Sequence, residues 1–141
     1  MIAIDTSAMV AVLKREAEAE TFLEIMVEAE RCFLSAVGHF ETSMVMIGRG
    51  EPELADGLDA FVEQRAIEIV SYDRELARES RDAFIRFGKG RHPAGLNFGD
   101  CVSYALAQTR GLPLLYKGED FAKTDVVSAV PTSSQRENAE F

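Results

Sequence analysis

Met1-Ile2-Ala3-Ile4-Asp5-Thr6-Ser7-Ala8-Met9-Val10-Ala11-Val12-Leu13 opens the chain, and its reading decides the fold. Ile2 to Asp5 reads as a short buried strand, and Thr6 and Ser7 carry hydroxyls suited to a helix N-cap. Met9, Val12 and Leu13 then recur at helical spacing. A strand passing at once into a helix is the repeating unit of an α/β fold, and the rest of the chain repeats it.

A second helix is expected from about Glu18 to Glu30, then a strand at Cys32 to Leu34, a cap at Ser35 and a third helix from 36 to about 47. Pro52 suits the first turn of a fourth helix carrying Leu54, Leu58, Phe61 and Val62, and the β-favouring Ile67, Ile69 and Val70 follow it. Asp73 caps a fifth helix that ends at Gly88, where a loop rich in glycine runs to Gly95. Asn97 caps a sixth helix reaching Arg110, and Gly111 stops it. Leu114 to Tyr116 gives another strand before a turn at Lys117 and Gly118, and a last strand fits Val126 to Val130. The expectation is one α/β domain over residues 1–130, with three α/β/α layers and a short central parallel sheet flanked by helices. Residues 131–141 are polar, lack periodicity and read as a disordered tail.

The 141 residues are 47% apolar and 28% charged, which fits a folded globular domain and excludes a disordered or fibrous chain. No apolar stretch of about 18 residues interrupts it, so no membrane span is expected. Cys32 and Cys101 lie in apolar runs far apart, as befits a reduced cytoplasmic protein. With His39 and His92 they make no zinc spacing. The net charge of −9 counts against contact with a polyanion unless a local feature reverses the field.

In an open parallel sheet the ligand crevice lies at the carboxyl ends of the strands. Asp5 ends the first strand there, although it also serves as a plain helix cap. Glu119 and Asp120 follow the strand at 114–116 and reach the same edge. On a helical wheel at about 100° per residue, Glu41 falls inside the arc of Val37, Phe40, Met44, Val45 and Ile47. His39, Thr42 and Ser43 take the other side. An inward acid must be paired, protonated or bound to a metal. Asp100 sits in the first turn of an apolar helix, and it also fits a capping box with Asn97.

Four carboxylates at one crevice repel one another unless a cation joins them. All-oxygen donors point to Mg²⁺ or Mn²⁺. The chemistry suited to such a centre is hydrolysis of a phosphodiester by activated water, with Thr6 and Ser7 available to orient that water. The polyanion has a landing place in residues 74–92, where six cations face three acids. Arg74, Arg78 and Arg81 form a stripe opposite Leu76, Ala83 and Phe87, and the loop extends it with Lys89 and Arg91. The plain alternative is a solvated face in which Arg78 and Arg86 each pair with Asp82.

Ile4-Asp5-Thr6-Ser7-Ala8, Glu41, Asn97-Phe98-Gly99-Asp100-Cys101 with Tyr104-Ala105-Leu106-Ala107, and Lys117-Gly118-Glu119-Asp120-Phe121 with Thr124-Asp125 occur in this order. Together they resemble the PIN-domain ribonucleases, specifically the VapC-type toxins of bacterial toxin-antitoxin pairs. The resemblance implies a PIN-like domain that cleaves RNA, often transfer RNA, with Mg²⁺ or Mn²⁺. It implies a homodimer and a cognate VapB-type antitoxin whose tail covers the active site. Asp5, Glu41, Asp100 and Asp120 match the family's acidic site, and Thr6 and Asn97 match its supporting residues. Many relatives carry Asn in place of Glu119, which leaves the fourth ligand among Glu119, Asp120 and Asp125. Two other classes compete. A phospho-accepting receiver-like domain would use Lys117 but lacks the second acid after its first strand, as does a phosphatase with an Asp-x-Asp nucleophile. A noncatalytic acidic binding domain would use the same acids structurally.

Overall fold

The computed structural model describes residues 1–131; the expected tail at 131–141 lies, but for its first residue, outside them. Four strands, β1 (Ile2–Ile4), β2 (Cys32–Ser35), β3 (Glu68–Val70) and β4 (Leu114–Leu115), form one sheet in the order β3-β2-β1-β4. Every pairing is parallel, with Ala3 opposite Phe33 and Leu114, and Leu34 opposite Ile69. Six helices connect them: α1 (Thr6–Leu13), α2 (Ala19–Ala29), α3 (Ala36–Gly48), α4 (Pro52–Gln64), α5 (Arg74–Phe87) and α6 (Phe98–Arg110).

Alternation along the strands feeds two separate cores. Ala3, Phe33 and Leu114 point to one face and pack with Leu76 of α5 and Leu106 of α6. Ile2, Ile4, Leu34 and Leu115 point to the other and pack with Met9, Phe22 and Leu58 of α1, α2 and α4. Each fully buried leucine contributes about 1.5–3 kcal/mol, which is why a sheet of such short strands holds. The layers are therefore α/β/α. After β1 the chain builds outward through β2 and β3, then returns to lay β4 on the opposite side of β1. The crevice at the carboxyl ends of β1 and β4 is the place where strand order reverses.

Three local expectations are corrected. The cap of α1 is Asp5, whose carboxylate accepts the Ser7 amide at 3.0 Å, rather than the hydroxyl of Thr6 or Ser7. The last strand at 126–130 reduces to a single parallel bridge between Leu114 and Ser128. β4 is two residues long and offers little ladder, because Tyr116 turns away to pack its ring 5.1 Å from that of Phe121. On α3 the buried seam is Gly38, Thr42 and Met46, while Phe40, Met44 and Ile47 are 65%, 52% and 57% exposed. Small residues let α3 approach closely: a Cβ on Gly38 would lie 2.9 Å from Leu34 Cδ1. Thr42 returns its hydroxyl to the Gly38 carbonyl at 2.7 Å, which satisfies the polar atom inside.

Candidate active site

Asp5 emerges from β1 with 2% exposure. Its amide donates to the Leu115 carbonyl at 2.9 Å, so β4 fixes the backbone from which the side chain springs. Oδ2 accepts the Ser7 amide at 3.0 Å and the Ser7 hydroxyl at 2.6 Å. Ser7 Oγ in turn accepts the Lys117 amide at 2.9 Å, tying the turn after β4 to the acid after β1. Oδ1 is buried without a hydrogen-bond partner among the described residues. A buried anionic oxygen left alone is costly, and a cation is the complement it lacks.

Asn97 and Asp100 close the capping box. Asn97 Oδ1 accepts the Asp100 amide at 2.9 Å, and Asp100 Oδ2 accepts the Asn97 amide at 3.1 Å. This leaves Asp100 Oδ1 for the crevice, so cap and site coexist in one residue. Burial pushes the Asp100 carboxyl up to about 6; the Asn97 amide opposes this, and the charges of Asp5, Asp120 and Glu41 add to the rise. Three acids from three distant segments thus act on the fourth.

Glu41 is half-buried, although Phe40, Met44 and Ile47 of its own helix face outward. Its carboxylate lies over the first turn of α6, where a Cβ on Gly99 would meet its oxygens at 2.3 and 2.4 Å. The positive end of the α6 dipole favours an anion there. Gly99 is a residue that the motif reading did not single out, although glycine inside an otherwise apolar helix was its signal.

Asp120 is exposed and sits before a single 3-10 turn, Phe121–Lys123. Glu119, also exposed, is not among the groups that raise Asp100. Asp125 turns to other partners: Oδ1 takes the Tyr104 hydroxyl and Oδ2 takes Arg86 at 3.0 Å, which holds its carboxyl below the usual range. Asp120 is the acid of this loop whose charge acts on Asp100. Thr6 is buried and makes a marginal 3.5 Å bond to the Gly38 carbonyl.

Arg74, Arg78, Arg81, Lys89 and Arg91 are all exposed, and among the described residues none forms a salt bridge. The alternative pairing of Arg78 and Arg86 with Asp82 is absent among them; Arg86 reaches Asp125 instead. The loop from 88 to 96 is tied at its base by backbone bonds between Lys89 and Leu96 and between Leu96 and Phe87, 3.0 and 2.9 Å. Arg91 Nε donates to the Ile85 carbonyl at 3.2 Å. Lys117 extends away from the acids to Glu16 at 2.8 Å and Glu18 at 3.1 Å, which removes it from any receiver-like role.

Among the described residues no three acids form a ready-made coordination shell. Mg²⁺ keeps several waters and takes typically one or two protein carboxylates, so an open, all-oxygen crevice with one orphaned Asp5 oxygen fits that class of ion. Both cysteines are free and buried.

Known proteins resemble this chain over most of its length. The PIN domain family matches residues 2–127. The chain is 46% identical over 127 residues to VapC ribonuclease Mb0640 of Mycobacterium bovis, covering 89% of this chain and 95% of the relative. It is 44% identical over 126 residues to a ribonuclease VapC of Mycolicibacterium smegmatis, covering 89% and 97%. The crystal structure of Mycobacterium tuberculosis VapC20, a sarcin-ricin loop cleaving toxin, superposes with a TM-score of 0.77 at 17% identity, covering 93% of this chain and all of that one. That likeness shows the shared α/β/α fold.

Proposed function

We propose a mechanism from the premise that this chain belongs to the PIN-domain family, among the VapC ribonucleases. It is a toxin-type endoribonuclease, a hydrolase acting on RNA. The finer reading is that Asp5, Glu41, Asp100 and Asp120 hold Mg²⁺ or Mn²⁺ in the crevice beyond β1 and β4. The observation that carries it is the buried, unpartnered Oδ1 of Asp5 beside an Asp100 whose carboxyl is pushed up to about 6.

When bound, the ion supplies a positive centre that acidifies water and offsets charge growing on the phosphoryl oxygens. The chain does the rest. Ser7 holds the Asp5 carboxylate through two hydrogen bonds, and the Asn97 amide holds that of Asp100 through one. Thr6 is buried beside Asp5 with only a 3.5 Å bond to the Gly38 carbonyl, and its hydroxyl is the group we assign to orienting a water. Arg74, Arg78 and Arg81 on α5, with Lys89 and Arg91 beyond it, give the RNA backbone an unpaired basic track on a molecule of charge −9. Attack by water on phosphorus leaves a 5′-phosphate and a 3′-hydroxyl. Transfer RNA is the substrate class to test first.

The acidic crevice suits a VapB-type antitoxin with a basic tail, whose Arg or Lys would stand among the carboxylates. The outward apolar row of Phe40, Met44 and Ile47 suits a second copy of this chain, giving a homodimer. Among the described residues no helix is long and apolar enough to cross a membrane; we place the protein in the cytoplasm.

Sequencing of the ends produced from RNA by wild type and by Asp5→Asn tests the mechanism. The expected result is 5′-phosphate ends from wild type, abolished by EDTA, restored by Mn²⁺ and missing from the variant. Cyclic phosphate ends made without metal would remove the mechanism.

A further inference from the structure

The loop that carries Asp120 runs along α6 with a matched spacing. Asp100 and Tyr104 are four residues apart and share one face of that helix, about 6 Å from one another along its axis. Asp120 and Asp125 are five residues apart on the loop, Asp120 acting on Asp100 while Asp125 meets Tyr104. Between them the loop is closed on itself. Lys123 donates its amide to the Asp120 carbonyl at 3.2 Å, and Thr124 sends both its amide and its hydroxyl to the Phe121 carbonyl at 3.0 and 2.7 Å. Phe121 is buried against Tyr116. Tyr104 is 3% exposed, and burial with the neighbouring carboxylate pushes its hydroxyl up to about 12, so it remains a donor at every working pH. Arg86 crosses from α5 to bind both the Tyr104 oxygen at 3.2 Å and Asp125 at 3.0 Å, with its guanidinium 4.8 Å over the Phe87 ring.

We propose that Tyr104, Arg86 and Asp125 form a latch that fixes the far end of this loop and so holds the Asp120 carboxylate over Asp100. Asp125 is then a positioning residue of the nuclease, one turn removed from the acids it resembles in sequence. The proposal rests on the reading of Asp120 as a ligand. Each oxygen of Asp125 is engaged by a latch partner, and the hydrogen-bonded turn between the two acids transmits any release of the latch to Asp120.

Calorimetric titration of the metal-free full chain with Mn²⁺ separates the two claims, using wild type, Tyr104→Phe, Asp120→Asn and the double variant. Tyr104→Phe is expected to weaken Mn²⁺ binding about tenfold, the low end for a residue supporting a ligand. The double variant is expected to bind no more weakly than Asp120→Asn alone, because the latch acts through that carboxylate. Amide exchange should quicken at 120–126 in Tyr104→Phe and stay slow in α6. Should Tyr104→Phe fail to fold by circular dichroism, Asp125→Asn, at an exposed position, takes its place in the same cycle. Wild-type affinity in the latch variant beside weakened binding in Asp120→Asn would overturn the latch alone, as would losses that multiply in the double variant. Wild-type affinity in Asp120→Asn would overturn the ligand reading and the latch with it.

Discussion

Asp5 is 2% exposed and passes from a paired strand directly into a helix, whereas Asp120 is exposed and rides a loop stiffened by one 3-10 turn. The first acid is held by its own immediate neighbours: the Ser7 amide and hydroxyl, two residues on, bind one carboxylate oxygen. The second depends on groups far off in sequence, Arg86 and Tyr104, reached through Asp125. One side of the crevice is therefore prebuilt by the sheet and the other is assembled by side chains. The difference teaches that a carboxylate's place in a motif says little about how it is held, and rigidity must be sought in its partners.

The comparison breaks most sharply at Asp5. Asp5→Asn keeps the shape and the Ser7 bonds but removes the charge that attracts the ion, and cleavage is expected to fall at least about a hundredfold, beyond what supporting residues typically give. Initial rates on a defined RNA check this, with circular dichroism confirming the fold.

Next comes the pH response of the prebuilt side. Asp100 has its folded value raised from 3.8 to about 6, so between those values the folded state binds more protons than the unfolded one, and stability falls as pH rises. Metal-free protein is expected to lose at most about 2 kcal/mol through this partly screened group from pH 4 to 7.5. The loss should be absent in Asp100→Asn and offset by Mn²⁺. Urea melts across that range read it directly.

Gly99→Ala sharpens the comparison from a third side. The new Cβ meets only the far end of a flexible side chain, so the fold should hold while the Glu41 carboxylate moves. Mn²⁺ affinity is expected to drop about tenfold, with a melting temperature unchanged or slightly raised, as alanine favours a helix. The smallest effect belongs to Glu119→Gln. Exposed and outside the group acting on Asp100, it should alter stability by less than about 0.5 kcal/mol and leave Mn²⁺ affinity within twofold of wild type, in contrast to Asp120→Asn beside it.

Much of the frame was legible because each cue acts over a few residues. The run from Ile2 to Leu13 carries its strand and helix in local periodicity, and Asn97 with Asp100 spells out a reciprocal cap that forms as written. What escaped depends on tertiary contact. Hydrophobicity put the inner face of α3 on the arc of Val37, Phe40, Met44, Val45 and Ile47, of which Val37 does pack on the core. Close packing nevertheless chose Gly38 and Thr42 over Phe40, Met44 and Ile47, since helix approach rewards small size as much as apolarity. Glu41 still reached the crevice, for a reason that lies on α6. Asp125 stood beside Asp120 as an equal by sequence; only the fold reveals the tyrosine and arginine that claim it. The strand at 126–130 failed because β4 is too short to template it.

The pairing of Ala3 with Leu114 has a temporal corollary. A ribosome emits β1 first and β4 after more than a hundred further residues, and the Lys117 amide that fastens Ser7 comes later still. Any nascent fragment ending ahead of that point lacks one wall of the cutting centre and the acid that follows it. The crevice therefore cannot close until the chain has been made past Lys117.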